Sequence, residues 1–126
     1  MGSCAVTPEY LESRITDVFD ENVPTEQRAV LHIPAGHFEV FEFSGRPVRW
    51  FKLVAGGRGN NVHIPSGEHT IRFHYYPGGD TGARNNRNKA VTANFEAGRA
   101  YALIARQRGS TITIHVQDVG TRELIN

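Results

Sequence analysis

Apolar residues recur at every second position along most of this chain. Ile71, Phe73 and Tyr75 alternate with Arg72, His74 and Tyr76, and Ile112, Ile114 and Val116 alternate with Thr113, His115 and Gln117. Val91, Ala93 and Phe95 form the apolar set of residues 89–96. Side chains of a strand point alternately to its two faces, so this period marks strands with one packed and one wet face. Residues 28–33, 38–43, 48–54, 62–64 and 100–107 complete the set of predicted strands. Pro34-Ala35-Gly36, Ser44-Gly45-Arg46-Pro47, Pro65-Ser66-Gly67, Ala97-Gly98-Arg99 and Arg108-Gly109-Ser110 separate them as turns. About seven to eight strands with little helix predict a mainly β protein, a single antiparallel β-sandwich.

Two stretches lack the period. Residues 55–61 combine glycines and asparagines and are expected to be a loop, and residues 77–88 hold no apolar residue larger than Ala or Pro. The N-terminal part differs again. Thr7-Pro8-Glu9 has the form of a helix start, with Leu11, Ile15, Val18 and Phe19 at helical spacing behind it. Residues 15–19 are also rich in β-formers, so helix and strand both stay open there. Asp20-Glu21-Asn22-Val23-Pro24 is a turn. The expected division is an N-terminal tether and acidic segment, 1–27, followed by a sandwich domain, 28–126.

His63-Ile64-Pro65-Ser66-Gly67-Glu68-His69-Thr70-Ile71-Arg72-Phe73 resembles the core phrase of PEGA-type β-sandwich domains. In these domains an apolar-Pro-x-Gly-x-His turn leads into an alternating strand. Phe95-Glu96-Ala97-Gly98-Arg99-Ala100-Tyr101-Ala102-Leu103 resembles their second turn and strand. Similar pairs of phrases occur in small bacterial envelope lipoproteins of unknown function. The resemblance covers about residues 60–105. It implies a sandwich of immunoglobulin or prealbumin type serving as an extracytoplasmic binding or scaffolding module, and it carries over no catalytic residues.

Met1-Gly2-Ser3-Cys4 ends as a bacterial lipobox does, with two small residues before a cysteine. Read as the trimmed start of a mature chain, it places lipid on Cys4 and the protein in the periplasm or at the outer membrane. No charged and apolar signal region precedes it in this sequence, and the plainer reading is a cytoplasmic protein with an idle thiol. The membrane enters only through that lipid, because no run approaches the ~18 apolar residues of a span.

Composition narrows the function classes. The 126 residues fit one domain, and 14 Lys+Arg against 13 Asp+Glu leave a formal net charge of +1. That balance excludes a uniformly basic nucleic-acid binder and an acidic disordered tail. The single cysteine excludes an internal disulfide framework and a multi-Cys zinc site. The near-neutral total hides a split. Residues 1–42 hold eight acids and two bases, net −6, and residues 43–126 hold twelve bases and five acids, net +7.

The basic, aromatic candidate for ligand binding is therefore sought in the second part. Arg72, His74 and Tyr76 lead into the stretch bearing Arg84, Arg87 and Lys89, with Arg99, Arg106 and Arg108 as further bases. Arginine forks suit phosphates and carboxylates, and aromatic rings beside them stack on sugars or bases. The plainer reading is a solvated loop between two strands. Tyr75 shares the inward face of Ile71 and Phe73 and is expected in the core. Trp50 and Phe51 take opposite faces of one strand, one in the core and the other a contact residue.

Six histidines are many for this length, and His32, His74 and His115 all lie on the less apolar face of their strands. As neighbours in one sheet they would converge on a metal; otherwise they are scattered surface or turn residues. Catalytic signals are poor. Cys4 has no fixed base, Ser66 stands in a turn, and Asp20 and Glu21 are adjacent and point apart. Gly56-Gly57-Arg58-Gly59 lacks the following helix that a phosphate cradle needs. No cofactor is expected.

The function expected is a non-enzymatic binding or structural module of a bacterial cell envelope. The alternatives are a binder of a polyanionic glycan or nucleic acid through the Arg-rich loop, and, last, a His-dependent or metal-dependent enzyme. The oligomeric state stays open, since an edge strand such as 62–64 is able to pair between chains.

Overall fold

The computed structural model describes residues 7–50, 59–76, 86–109 and 111–126, with the backbone alone at 86–88. A short helix, α1 (Pro8–Glu12), precedes a two-residue strand, β1 (Asp17–Val18), and a 3₁₀ turn at Thr25–Gln27. Then follow β2 (Arg28–Ile33), β3 (Phe38–Phe43), β4 (Arg46–Trp50), β5 (Asn60–Pro65), β6 (Gly67–Tyr75), β7 (Asn86–Phe95), β8 (Ala100–Arg108) and β9 (Thr111–Asp118). They form a five-stranded sheet, in the order β1-β5-β2-β8-β9, and a four-stranded sheet, β4-β3-β6-β7.

The alternating residues turn their apolar faces toward each other. Ala29, Leu31, Ile33, Val62, Ile64, Leu103 and Val116 of the first sheet meet Phe38, Val40, Phe43, Ile71, Phe73 and Phe95 of the second in one buried cluster. This is the predicted mainly β sandwich, and Tyr75 lies in its core as expected, 9% exposed. Two pairings depart from the antiparallel expectation: β1 runs parallel to β5, and β2 parallel to β8.

The hairpin between β3 and β4 is tighter than the four residues expected. Ser44 and Gly45 both adopt positive φ, 50° and 84°, and β4 starts at once with Arg46. That is the geometry whose twist matches the flanking strands. The predicted turns Pro34-Ala35-Gly36 and Pro65-Ser66-Gly67 both place their glycine at positive φ, Gly36 at 82° and Gly67 at 116°.

Three local expectations change. Residues 62–64 are no edge: β5 is flanked by β1 on one side and β2 on the other. Asn60 and Asn61, expected in a loop, are buried strand residues. Residues 7–27, the described part of the expected tether and acidic segment 1–27, are packed onto the sandwich. The Thr7 hydroxyl caps α1 by accepting the Tyr10 N–H at 3.1 Å. Leu11 is buried against Val30 and Ala100 on the outer face of the five-stranded sheet, with Ile15 and Val119 beside them. That contact explains why Val30 is apolar although it sits on the face opposite Leu31. The turn expected at 20–24 is present, and the Asp20 carboxylate accepts the Asn22 N–H in it.

A buried carboxylate ties the start of β8 to the end of β9. Asp118 accepts the N–H groups of Gly120 and Thr121 on one oxygen and Nη1 of Arg99 at 3.0 Å on the other. Burial pushes this carboxyl up, but the Thr121 and Gly120 N–H groups and the Arg99 guanidinium outweigh it, leaving it below the usual aspartate range. A depressed carboxyl stabilises the fold above its unfolded pKa and loses that contribution as pH falls through the folded value. Asp118→Asn should therefore lower stability at neutral pH by roughly 1–3 kcal/mol. Urea denaturation should show the gap to the parent protein narrowing below about pH 4. A gap that stays constant into strong acid would contradict this role.

Candidate functional site

The residues expected to form a basic, aromatic strip occupy different surroundings. Arg72 and Glu42 are partners in the β6–β3 register, and their side chains form an ion pair at 3.3 Å. The Tyr76 hydroxyl donates to Glu39 Oε1 at 2.6 Å. His74 lies opposite Glu39 in the same register, and its ring stacks on Phe41 with centroids 4.7 Å apart. Arg72 thus stands beside an acid of the first 42 residues, and that pair neutralises part of the −6 against +7 split within the fold. Lys89 is exposed but pairs opposite the buried Phe73, on the parity of Val91, so the sheet does not place it beside Arg72. Arg84 and Cys4 lie outside the described residues, as do the side chain of Arg87 and the ring of Phe51. Arg99 sits at the start of β8 with Asp118, far along the strand from Arg106 and Arg108.

The histidines do not converge. His32 and His115 belong to the five-stranded sheet, separated by β8, and His74 belongs to the other sheet. Among the described residues no group of three or more His, Cys, Asp and Glu side chains is placed to hold a metal. Their contacts are those of structural residues. His69 bridges the Pro65 carbonyl and the Ser44 hydroxyl, and His32 Nδ1 meets Asn61 Oδ1 at 2.7 Å. Arg28 Nη1 donates to His63 Nδ1, so Nε2 carries the hydrogen that is shared with Glu12 at 2.6 Å.

The buried asparagines belong to the same seam between the N-terminal segment and β5. Asn61 Nδ2 donates to the Arg14 carbonyl, and the Asn61 N–H to the Thr16 hydroxyl. The Asn60 Nδ2 is buried without a hydrogen-bond partner among the described residues. Gly59, the last glycine of the run that resembles a phosphate cradle, is required by packing: a Cβ there would collide with the Ile33 carbonyl.

The concave feature that these contacts build lies where the two sheets' outermost strands meet, β1 and β4. Thr16 and Phe19 donate their N–H groups to the carbonyls of Asn61 and His63, which holds residues 16–19 along β5. Across the gap between the sheets, the buried Trp50 donates its indole N–H to Asp17 Oδ2 at 2.9 Å. The Phe19 ring packs edge-on against Phe43, 4.7 Å between centroids, and against Trp50 at 6.1 Å.

A groove of about 410 Å³ remains, lined by Asp17, Val18, Phe19, Arg46, Pro47, Val48, Arg49 and Trp50. Arg46 lies over the Phe19 ring, 4.1 Å from its centroid, and donates Nη2 to the Phe19 carbonyl at 3.0 Å. Arg49 is exposed, and neither guanidinium forms an ion pair among the described residues. The oxygens of Asp17, the acid in the lining, are engaged by the Val18 N–H and by Trp50. The groove therefore presents an excess of positive charge on a fixed arginine fork, a surface suited to a carboxylate, sulfate or phosphate.

Sequence reasoning places none of these residues in a site: Arg46 falls in a predicted turn, and Trp50 is one of two candidates for the core. Comparison of the chain with protein-family models, curated proteins and solved structures finds no match.

The clasp is open to a direct check. Trp50→Phe and Asp17→Asn should each destabilise the protein, and the double variant should lose less than their sum. The expected coupling is roughly 1 kcal/mol by urea denaturation. Strictly additive losses would mean that the indole–carboxylate bond contributes nothing.

Proposed function

We propose that this protein is a non-enzymatic binding module of a bacterial cell envelope that holds an anionic ligand in the groove between β1 and β4. The observation that carries the binding reading is the pair Arg46 and Arg49, exposed in one groove with no ion-pair partner among the described residues. Arg72 and Arg99, by comparison, are already engaged by Glu42, Glu96 and Asp118. A guanidinium with free donors gains more from an incoming oxyanion than one already satisfied. Two exposed guanidinium groups lining one groove support a ligand with more than one anionic group.

The envelope placement is supported by the Gly2-Ser3-Cys4 motif and by the resemblance of residues 63–73 and 95–103 to the two phrases of PEGA-type domains. In this reading Cys4 carries the lipid and α1, a few residues later, begins the sandwich.

Heparin serves as the polyanionic probe. Binding is expected to weaken with added salt and to fall about tenfold or more in Arg46→Ala/Arg49→Ala. Arg84→Ala/Arg87→Ala should change it little. Absence of heparin binding, or an unchanged affinity in the groove variant, overturns the groove. A loss confined to the Arg84/Arg87 variant moves the site to the loop. The anchor is tested separately, by feeding native cells a clickable fatty acid. Label should enter the parent protein and be absent from Cys4→Ala; an unlabelled parent protein refutes lipidation.

A further inference from the structure

A second concavity shares no lining residue with the groove. It is a cleft of about 290 Å³ bordered by Pro34, His37, Phe38, Tyr75, Leu103, Ile104 and Ala105. Its origin is a mismatch of strand lengths. The β2–β8 register ends at His32 and Ala102, and Pro34 follows, which has no N–H to continue the ladder. β8 runs on to Arg108. Beside Leu103–Ala105 the five-stranded sheet therefore has a notch. Phe38 and Tyr75, partners in the β3–β6 register, lie in contact beneath it with ring centroids 5.0 Å apart.

The walls are mainly apolar, and two polar groups in them have unused hydrogen-bonding capacity. Tyr75 is 9% exposed, and its hydroxyl makes no hydrogen bond to any described residue. Among those residues the one sealed, unpartnered side-chain polar atom is on Asn60, and Tyr75 lines the cleft. His37 lies beside it, with ring centroids 6.4 Å apart. Its Nδ1 faces the Tyr76 carbonyl at 3.1 Å. A carbonyl only accepts, so Nδ1 carries the hydrogen, and Nε2 is left as an acceptor with no donor among the described residues. A donor and an acceptor thus flank one apolar cleft, the arrangement by which ligand sites orient mainly apolar molecules.

We propose that this notch binds a small neutral hydroxyl compound, apolar over the rest of its surface, whose hydroxyl accepts from Tyr75 and donates to His37. A phenol matches both the pairing of one hydroxyl with two complementary partners and the aromatic floor of Phe38 and Tyr75. A carboxylate would leave His37 Nε2 without a donor, and a hydrocarbon would leave both groups dry and unpaired. The proposal stands apart from the anion groove, since neither its residues nor its ligand chemistry overlap with it.

The probes are p-cresol and toluene, which differ by the hydroxyl alone. Titration of the full chain followed by amide NMR should give shifts centred on Leu103, Ile104 and Tyr75. p-Cresol should bind roughly tenfold tighter than toluene. Tyr75→Phe retains the ring and should erase most of that preference while toluene affinity persists. Ala105→Trp, at the exposed lip, should block both ligands and leave the core and heparin binding intact. No shifts from either compound overturn the proposal. So do shifts centred elsewhere, a cresol preference that survives in Tyr75→Phe, or undiminished binding in Ala105→Trp.

Discussion

The hydrogen bond from the Trp50 indole to the Asp17 carboxylate joins one sheet of this sandwich to the other at their shared flank. Two stacked sheets are free to splay where their outermost strands are not linked. Here the pairing of residues 16–19 holds that flank to β5 of its own sheet and does not reach the opposite one. The indole supplies a donor that must be satisfied once the ring is buried, and the carboxylate supplies the acceptor on the opposite sheet. Phe19 then seals the space behind the bond, and Arg46 covers Phe19. Each layer depends on the one beneath it, and the groove is the outermost result.

The same segment explains the uneven distribution of charge. Acids gathered in the first 42 residues meet partners from much later in the chain: Glu12 with His63, Glu42 with Arg72, Glu39 with the Tyr76 hydroxyl. Of these, Glu42 with Arg72 is a match of opposite formal charges, and the other two carboxylates are met by neutral donors. Exposed pairs of this kind add little stability individually, but they decide where unmatched charge remains. Arg46 and Arg49 are among the bases left without an ion-pair partner among the described residues, and they line a groove, where an oxyanion has access to the guanidinium without displacing a carboxylate.

Strands were legible because their evidence is local. A buried face forces period two on residues 69–76 and 111–118, and Pro and Gly mark the turns whatever the tertiary structure. The helix start at Thr7-Pro8 and the core position of Tyr75 were legible for the same reason. Asn60 and Asn61 were misread because a glycine- and asparagine-rich composition is also that of a loop. What makes them strand is bonding to Thr16, Arg14 and His32, residues 29 to 47 positions away. β1 is two residues long and parallel, which leaves no periodic trace. The groove was invisible on the same grounds: Asp17 and Trp50 lie 33 positions apart, and neither carries a motif. The histidines erred in the other direction, since matching parity on three strands does not say which sheet each strand joins.

Trp50 is the protein's only tryptophan, so its indole N–H gives one unambiguous NMR resonance. Following that resonance in water, and then during addition of heparin, tests the clasp and the groove together. The indole proton should be protected from solvent exchange and should shift as the polyanion fills the groove. An indole that exchanges as freely as an exposed one, and whose resonance stays fixed as heparin binds, would contradict both the inter-sheet bond and the placement of the ligand.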